Sequence, residues 1–506
     1  MKRKRKIRSA TVKRSRPSST TKAAKKARRG AVRPEYPKRR FRNAKTTARL
    51  RYRSGGKRSA RRRQKSVASP SVALHVPALQ LLEAQPFEAQ PPNDRQQSGE
   101  GLSILYIVHS FYPESYTGTE KFVLNMARSM QQRGHRVKVV TYSGQLPEQA
   151  VPTNEIASIE YVYDGVPVLA YRSQAADPAQ SASLVEEPTL SMWAEVILTQ
   201  EQPNLIHVAH TMRGIGFVQA ALRLGIPYVM TLTDYWSVCP RTTLVRVDKQ
   251  LCSGPEGGLA CMAHCQLPHA SERLLTLAPL LQGAQRIFSP SAFLASYTQQ
   301  VLPSLRIEVL PHGMRRETLI PNAKTYRSGA TLTFVYGGSL NEHKGVHILL
   351  QAMSLVPSRR LRLHLYGSGK PEYAKELQRI ASGDRRISFR GTYAEADLPR
   401  IYQEADISVV PSIWFENYPL ALHEALASHV PVIASNVGGM SEKIVDGLNG
   451  YTFRVGDARH LAERFRMLLH KPELINTLKS NIREMPLPSA DDELAAYESV
   501  YYQHAR

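Results

Sequence analysis

Residues 411–439 read PSIWFENYPLALHEALASHVPVIASNVGG. Proline is favoured at the first position of a helix, so a helix is expected from Pro419 over Leu420–Ala427, with Glu416 left in the loop before it. Glu424 then projects about one and a half turns into that helix, roughly 8 Å along its axis. Val432–Ala434 on one side and Ile407–Val410 on the other read as short strands buried on both faces. One carboxylate in a loop, a second on a helix and free backbone amides between them suit a polyhydroxylated, phosphorylated ligand. Carboxylates accept paired hydrogen bonds from sugar hydroxyls, and the amides at a helix start favour negative charge. Two acids at this spacing are also what a solvated helix face presents. The position directly after a strand favours the ligand.

The strand–helix alternation continues outward. Leu332–Tyr336, Leu361–Tyr366 and Ile387–Phe389 read as strands, separated by helical patterns at Val346–Leu355, Glu372–Ala381 and Leu398–Glu404, with another at Ala458–Leu469. In the first half, Leu102–Val108, Val137–Tyr142, Leu205–Val208, Tyr228–Leu232 and Arg286–Phe288 read as strands, and Glu120–Gln132 as an amphipathic helix. Such alternation implies right-handed crossovers and parallel sheets clad by helices. The expected fold class is α/β, with two doubly wound domains facing each other: residues 102–300, 301–485 and a closing segment 486–506. Ligands of such sheets bind beyond the carboxyl ends of the strands.

The chain has 506 residues and a formal net charge of +26. Residues 1–70 hold 29 Lys/Arg and one acid, Glu35, so the remaining residues are nearly neutral at −2. A uniformly basic nucleic-acid-binding fold is excluded; a neutral body carries a cationic segment. Segment 1–70 has too few apolar residues to offset its ordering entropy and reads as disordered. Segment 71–101 reads as a Pro/Gln-rich linker. No apolar run reaches the roughly 18 residues of a spanning helix, and no secretory signal is visible. The expectation is a cytoplasmic chain whose basic segment either docks peripherally on the inner face of the membrane or is a solvated, functionally silent tail.

Two glycine-containing loops follow strands. Gly118 stands where the chain turns into a helix, serving either a tight turn or an approach to an anion. In YGGSLNEHKGV, Gly338 lets the backbone approach a ligand, and Lys344 precedes a helix start, as a phosphate between them would require; a solvated lysine is the alternative. The four cysteines, Cys239, Cys252, Cys261 and Cys265, fall within one insertion, 239–265. They read as a structural zinc site, as disulfides or as unligated thiols.

With these residues in place, the chain from Leu102 onward resembles the retaining, nucleotide-sugar-dependent glycosyltransferases of family 4, which have the GT-B fold. The resemblance rests on the E-x7-E pattern within FENYPLALHEALASHVPVIASNVGG, followed by IVDGLNGYTF. YTGTEKFVLNMARSMQQRGHRVKVVT, FSPSAFLASY, VLPHGM, YGGSLNEHKGVHILLQAM and LHLYGSG support it. It implies that Glu424 binds the nucleotide ribose, Glu416 the donor-sugar hydroxyls, and Lys344 and Gly118 the diphosphate. Gly338, Ser339, Asn417, Tyr418 and Leu420 would complete the donor site, with Asp234 beside the reacting sugar. The implied donor is a UDP-, GDP- or ADP-sugar, and the implied acceptor a glycan or lipid-linked hydroxyl in cell-envelope glycan, polysaccharide or glycolipid synthesis. No catalytic cofactor is implied.

The chain departs from the family pattern at three places, of which His429, where a glycine is common, is expected to matter little. Ser339 stands where many members have Arg, so Lys344 carries more of the diphosphate charge, or Arg315 and Arg316 assist. Thr233 in TLTDYWSVCPR replaces a histidine near the reacting sugar, a place that His109 or His210 could fill. These departures motivate a rival reading, a catalytically weakened carbohydrate-binding GT-B protein. The basic segment motivates another, a binder of polyanions.

Overall fold

A computed structural model of the chain describes residues 83–88, 99–146, 156–173 and 187–506, apart from the side chain of Arg316. The expectations for segment 1–70, for most of segment 71–101 and for the Arg316 side chain lie outside the described residues.

The first lobe comprises Gln85–Pro86 (β1), Ser103–Val108 (β2), Gly118–Gln132 (α1), Arg136–Tyr142 (β3), Ile156–Tyr163 (β4), Val166–Ser173 (β5), Pro188–Glu201 (α2), Leu205–Val208 (β6), Ile215–Arg223 (α3) and Tyr228–Thr231 (β7). It continues through Leu259–Cys265 (α4), Ala270–Gln282 (α5), Ile287–Ser289 (β8), Ala292–Val301 (α6) and Ile307–Val309 (β9). The strands form one sheet in the order β1-β9-β8-β7-β6-β2-β3-β5-β4. β4 runs antiparallel to β5, and the other pairs are parallel. The apolar run of β2 sits mid-sheet with five of its six residues buried, because helices cover both faces. The inner face of α1 buries Phe122, Val123, Met126, Ala127 and Met130 against it.

The second lobe comprises Leu332–Gly337 (β10), Val346–Leu355 (α7), Leu361–Tyr366 (β11), Pro371–Ile380 (α8), Ile387–Gly391 (β12), Leu398–Glu404 (α9) and Ile407–Val410 (β13). Leu420–Ala427 (α10), Val432–Ser435 (β14), Gly439–Lys443 (α11), Gly450–Phe453 (β15), Ala458–His470 (α12) and Leu474–Glu484 (α13) complete it. Its sheet, β12-β11-β10-β13-β14-β15, is parallel throughout. Two doubly wound sheets are the GT-B arrangement. The last helix, Ala490–His504 (α14), returns to the first lobe. There the Tyr501 hydroxyl meets His207 Nδ1 at 2.5 Å and the Tyr497 hydroxyl meets Thr231 Oγ1 at 2.8 Å, all buried.

The expected boundaries need correction at two points. β1 lies inside the segment read as linker and pairs in parallel with β9, so the first lobe gathers residues from both sides of its expected limits. Strands of two and three residues leave no periodic pattern to read. The β4–β5 hairpin was not anticipated either. Its turn, Asp164-Gly165, has positive φ at both residues, the signature of a two-residue hairpin.

The lobes touch through the loop after β13. Phe415 stacks on Phe293 of α6 with ring centroids 5.1 Å apart. Such a pair adds about 0.5–1.5 kcal/mol beyond the area it buries.

Candidate active site

The loop from β10 to α7 is clamped by its glycines. Gly345 has φ +69°, and a Cβ there would lie 1.9 Å from the Pro411 carbonyl oxygen, so only glycine fits. The Ile413 N–H donates to the His343 carbonyl oxygen at 2.8 Å, joining this loop to the one after β13. Lys344 is thereby set beside Glu416, Nζ to Oε1 at 2.7 Å, with its ammonium 5.0 Å from the centre of the Trp414 ring. The Ser412 hydroxyl donates to the same oxygen at 2.6 Å. Burial raises the pKa of the Glu416 carboxyl, but the charge and hydrogen bond of Lys344, helped by Ser412, outweigh it and hold the group below its ordinary range.

Glu424 lies on α10, buried, as the sequence spacing requires. Lys121 Nζ of α1 reaches it from the other lobe at 3.3 Å, and the Tyr402 hydroxyl donates to it at 3.4 Å. Gly118 opens α1 without a left-handed φ, so no turn demands a glycine there; a Cβ would meet only Leu420 of the facing lobe, at 3.9 Å. The start of α1 is held by Glu120, whose carboxylate accepts from the Thr117 N–H at 2.8 Å and hydroxyl at 2.6 Å. Gly118, Lys121, Arg315, Glu395, Leu420 and Glu424 line one open cavity of about 700 Å³.

The other predicted residues are distributed as follows. Gly338 has φ +152° and packs against the Tyr336 hydroxyl. Ser339 Oγ accepts from the Asn341 side-chain amide at 3.2 Å. Asn417 is buried between the lobes: its amide donates to the Thr233 carbonyl at 3.0 Å, and its oxygen accepts from the Ser291 hydroxyl at 2.7 Å. Its side chain is thus spent on the lobe contact, which leaves only its backbone for a ligand. The Tyr418 ring stacks on His423 at 3.6 Å, and its hydroxyl donates to the His312 carbonyl at 2.7 Å.

Asp234 lines a smaller hollow of about 270 Å³ with His210 and Thr233, separate from the cavity that holds Glu424. His210 Nδ1 accepts from the Met212 N–H at 3.1 Å, so its Nε2 carries the proton and donates to Asp234 Oδ2 at 3.0 Å. The Trp236 N–H donates to Asp234 Oδ1 at 2.8 Å. Thr233 turns away, its hydroxyl donating to the Ala209 carbonyl at 3.0 Å. The His109 ring packs against His210 at a tilt of 43°, with centroids 4.1 Å apart, and burial holds its imidazole well below the ordinary pKa. His109 and His210 thus follow the ends of β2 and β6, and His210 shares the hollow of Asp234 and Thr233.

All four cysteines are free thiols. Among the described residues no three His, Cys, Asp or Glu side chains converge to hold a metal ion. Arg273, unremarked in the sequence, lies buried 4.2 Å from the centre of the Trp236 ring and donates to the Trp236 and Ser237 carbonyls, bracing the segment that carries Asp234. Lys121 was missed because a lysine in the first turn of an amphipathic helix carries no sequence signal. Among the described residues no helix is long and apolar enough to cross a membrane.

Residues 117–313 match the family model of a glycosyl transferase 4-like domain, and residues 331–471 that of glycosyl transferases group 1. Together they span about two thirds of the chain. A lipopolysaccharide 1,2-N-acetylglucosaminetransferase of Salmonella typhimurium is 29% identical over 35% of this chain and 49% of its own length. The chain spans about half the length of the first curated relatives it matches. Among solved structures, sucrose-phosphate synthase from Thermosynechococcus elongatus superposes with a TM-score of 0.61 at 20% identity, covering 79% of this chain and 98% of that one. Anabaena HepE in complex with UDP and glucose gives a TM-score of 0.58 at 17% identity, covering 79% and 99%. At these identities the structures speak for the fold alone.

Proposed function

We infer that this chain, which belongs to the family 4-like, group 1 glycosyltransferases of GT-B fold, transfers a glycosyl group from a nucleoside diphosphate to an acceptor hydroxyl. The observation that carries this reading is the Lys344–Glu416 pair, held at 2.7 Å where the loops after β10 and β13 meet. An ammonium and a carboxylate there suit a pyrophosphate joined to a sugar. The hydroxyls of the sugar would take the carboxylate, freeing the ammonium for the phosphate. Glu424, eight residues on, would accept from the ribose diol.

The reaction breaks the bond between the anomeric carbon and the phosphate oxygen and forms one to the acceptor oxygen. The sugar becomes cationic as the diphosphate departs. Lys344 and the unpaired amides at the start of α10 would favour that departing charge over the bound ground state, which is what lowers the barrier. We favour retention by front-face displacement, with the acceptor proton leaving on the departing phosphate oxygen. Asp234, fixed by His210 and the Trp236 amide, would orient sugar hydroxyls. The lipopolysaccharide N-acetylglucosaminetransferase relative supports a cell-envelope glycan acceptor. Segment 1–70 would supply cationic docking to an anionic membrane, at about 1 kcal/mol per basic residue near the surface.

Calorimetric titration with UDP-, GDP- and ADP-sugars tests the reading. Binding of at least one is expected, with turnover abolished in Glu424→Ala and Lys344→Ala while both still fold. No binding by any of the three classes would overturn it.

A further inference from the structure

Lys121 stands in the first turn of α1, three residues after Gly118, and its side chain crosses to the second lobe. Nζ lies 3.3 Å from Glu424 and 3.7 Å from Glu395. The two carboxylates differ: Glu424 is buried, whereas the Glu395 side chain is 45% exposed. A ribose diol donating to Glu424 competes with Lys121 for the same oxygens. Once displaced, the ammonium keeps the solvated Glu395 as its partner, in the same cavity that Gly118 and Glu424 line.

Among the described residues, the other cations expected at this site are Lys344 and Arg315, which lines the same cavity. Lys344 is engaged by Glu416, and Arg315 turns to the Ser129 hydroxyl at 3.4 Å. Ser339, where a second positive charge was expected, offers a hydroxyl that already accepts from Asn341. A half-buried ammonium facing a diphosphate is attracted far more strongly than one in open water.

We propose that Lys121 is the second cation of the donor site, holding Glu424 while the cleft is empty and passing to the diphosphate when ribose hydroxyls take over that carboxylate. The inference rests on the sugar-nucleotide reading above. It makes phosphate binding draw the two lobes together, since the cation and the ribose carboxylate come from opposite sides.

The test is calorimetry on the full chain with UDP, GDP and ADP, each paired with its nucleoside. For whichever base binds, Lys121→Ala is expected to weaken the diphosphate about ten- to a hundredfold. The nucleoside should bind equally well or tighter, because a competitor for Glu424 is gone. Lys121→Arg should restore most of the diphosphate affinity. Equal weakening of nucleoside and diphosphate would make Lys121 a mere tie between lobes, and unchanged binding of both would remove its role; either overturns the proposal and leaves the sugar-nucleotide reading standing. A wild-type chain that binds none of the six would overturn both. Cooperative thermal unfolding of both variants accompanies the expected result, at a lower temperature for Lys121→Ala because the buried Glu424 carboxylate loses its cationic partner.

Discussion

The side-chain amide of Asn417 donates to the Thr233 carbonyl oxygen at 3.0 Å, and the Ser291 hydroxyl donates back to the Asn417 oxygen at 2.7 Å. The residue after Glu416 is therefore a bolt between the lobes. It aligns the loop carrying Glu416 with the end of β7, where Asp234 directly follows Thr233.

Asn417→Ala should cost about 1–3 kcal/mol, because the Ser291 hydroxyl and the carbonyl oxygens of Thr233 and Leu232 lose a buried partner. Asn417→Asp should cost more, since a carboxylate would face those carbonyl oxygens without a donor. Urea unfolding reads both. Equal stability of all three proteins would remove the bolt.

Lys344→Ala should destabilise the chain in a pH-dependent way. In the native protein the Glu416 pKa is depressed, so its ionised form contributes stability that is present at neutral pH and lost as pH falls through the folded value. Without Lys344, burial dominates and Glu416 titrates higher, so acid protonates it and relieves the strain. The stability gap between native and variant protein should be widest near pH 7 and shrink toward pH 4. A gap independent of pH would contradict the pairing.

Glu187, before α2, shows the opposite sign. Burial pushes its carboxyl up to about 7, against an opposing pull from Arg213. The folded state then holds a proton that the unfolded chain has released, and stability falls as pH rises from about 4.5 to about 7. Glu187→Gln should gain up to about 3 kcal/mol at pH 8 and nothing at pH 4. Thermal unfolding at the two pH values measures it.

The thiols give a fourth test. Burial pushes Cys239 up to about 12 and Cys261 up to about 11. Both should therefore alkylate slowly at pH 8 in the folded chain and quickly in denaturant, with or without a chelator. Zinc held by the four cysteines would appear instead as metal released on unfolding, with chelator-dependent alkylation.

Much of the frame was legible. Leu205–Val208, Leu361–Tyr366, Ile407–Val410, Val346–Leu355, Leu398–Glu404 and Leu420–Ala427 form with the bounds expected of them. Continuous apolar runs and 3.6-residue spacing are strong signals when a strand or helix packs within its own lobe. The strands β1 and β9 were not legible, since two or three residues carry no period. Asn417 was assigned to the ligand because it sits among ligand residues in the chain, yet its partners lie 126 and 184 positions away.

What the sequence by itself determined was the alternation of buried strands and helices, the Glu416–Pro419–Glu424 order and the cationic start, since each depends on neighbours along the chain. Only the tertiary structure decided that Lys344 meets Glu416, that Lys121 reaches Glu424 from the opposite lobe, and that His210 grips Asp234. These are contacts between segments far apart in the chain, two set by the order of strands within a sheet and one by how the lobes face each other, and spacing within a segment carries no record of that geometry.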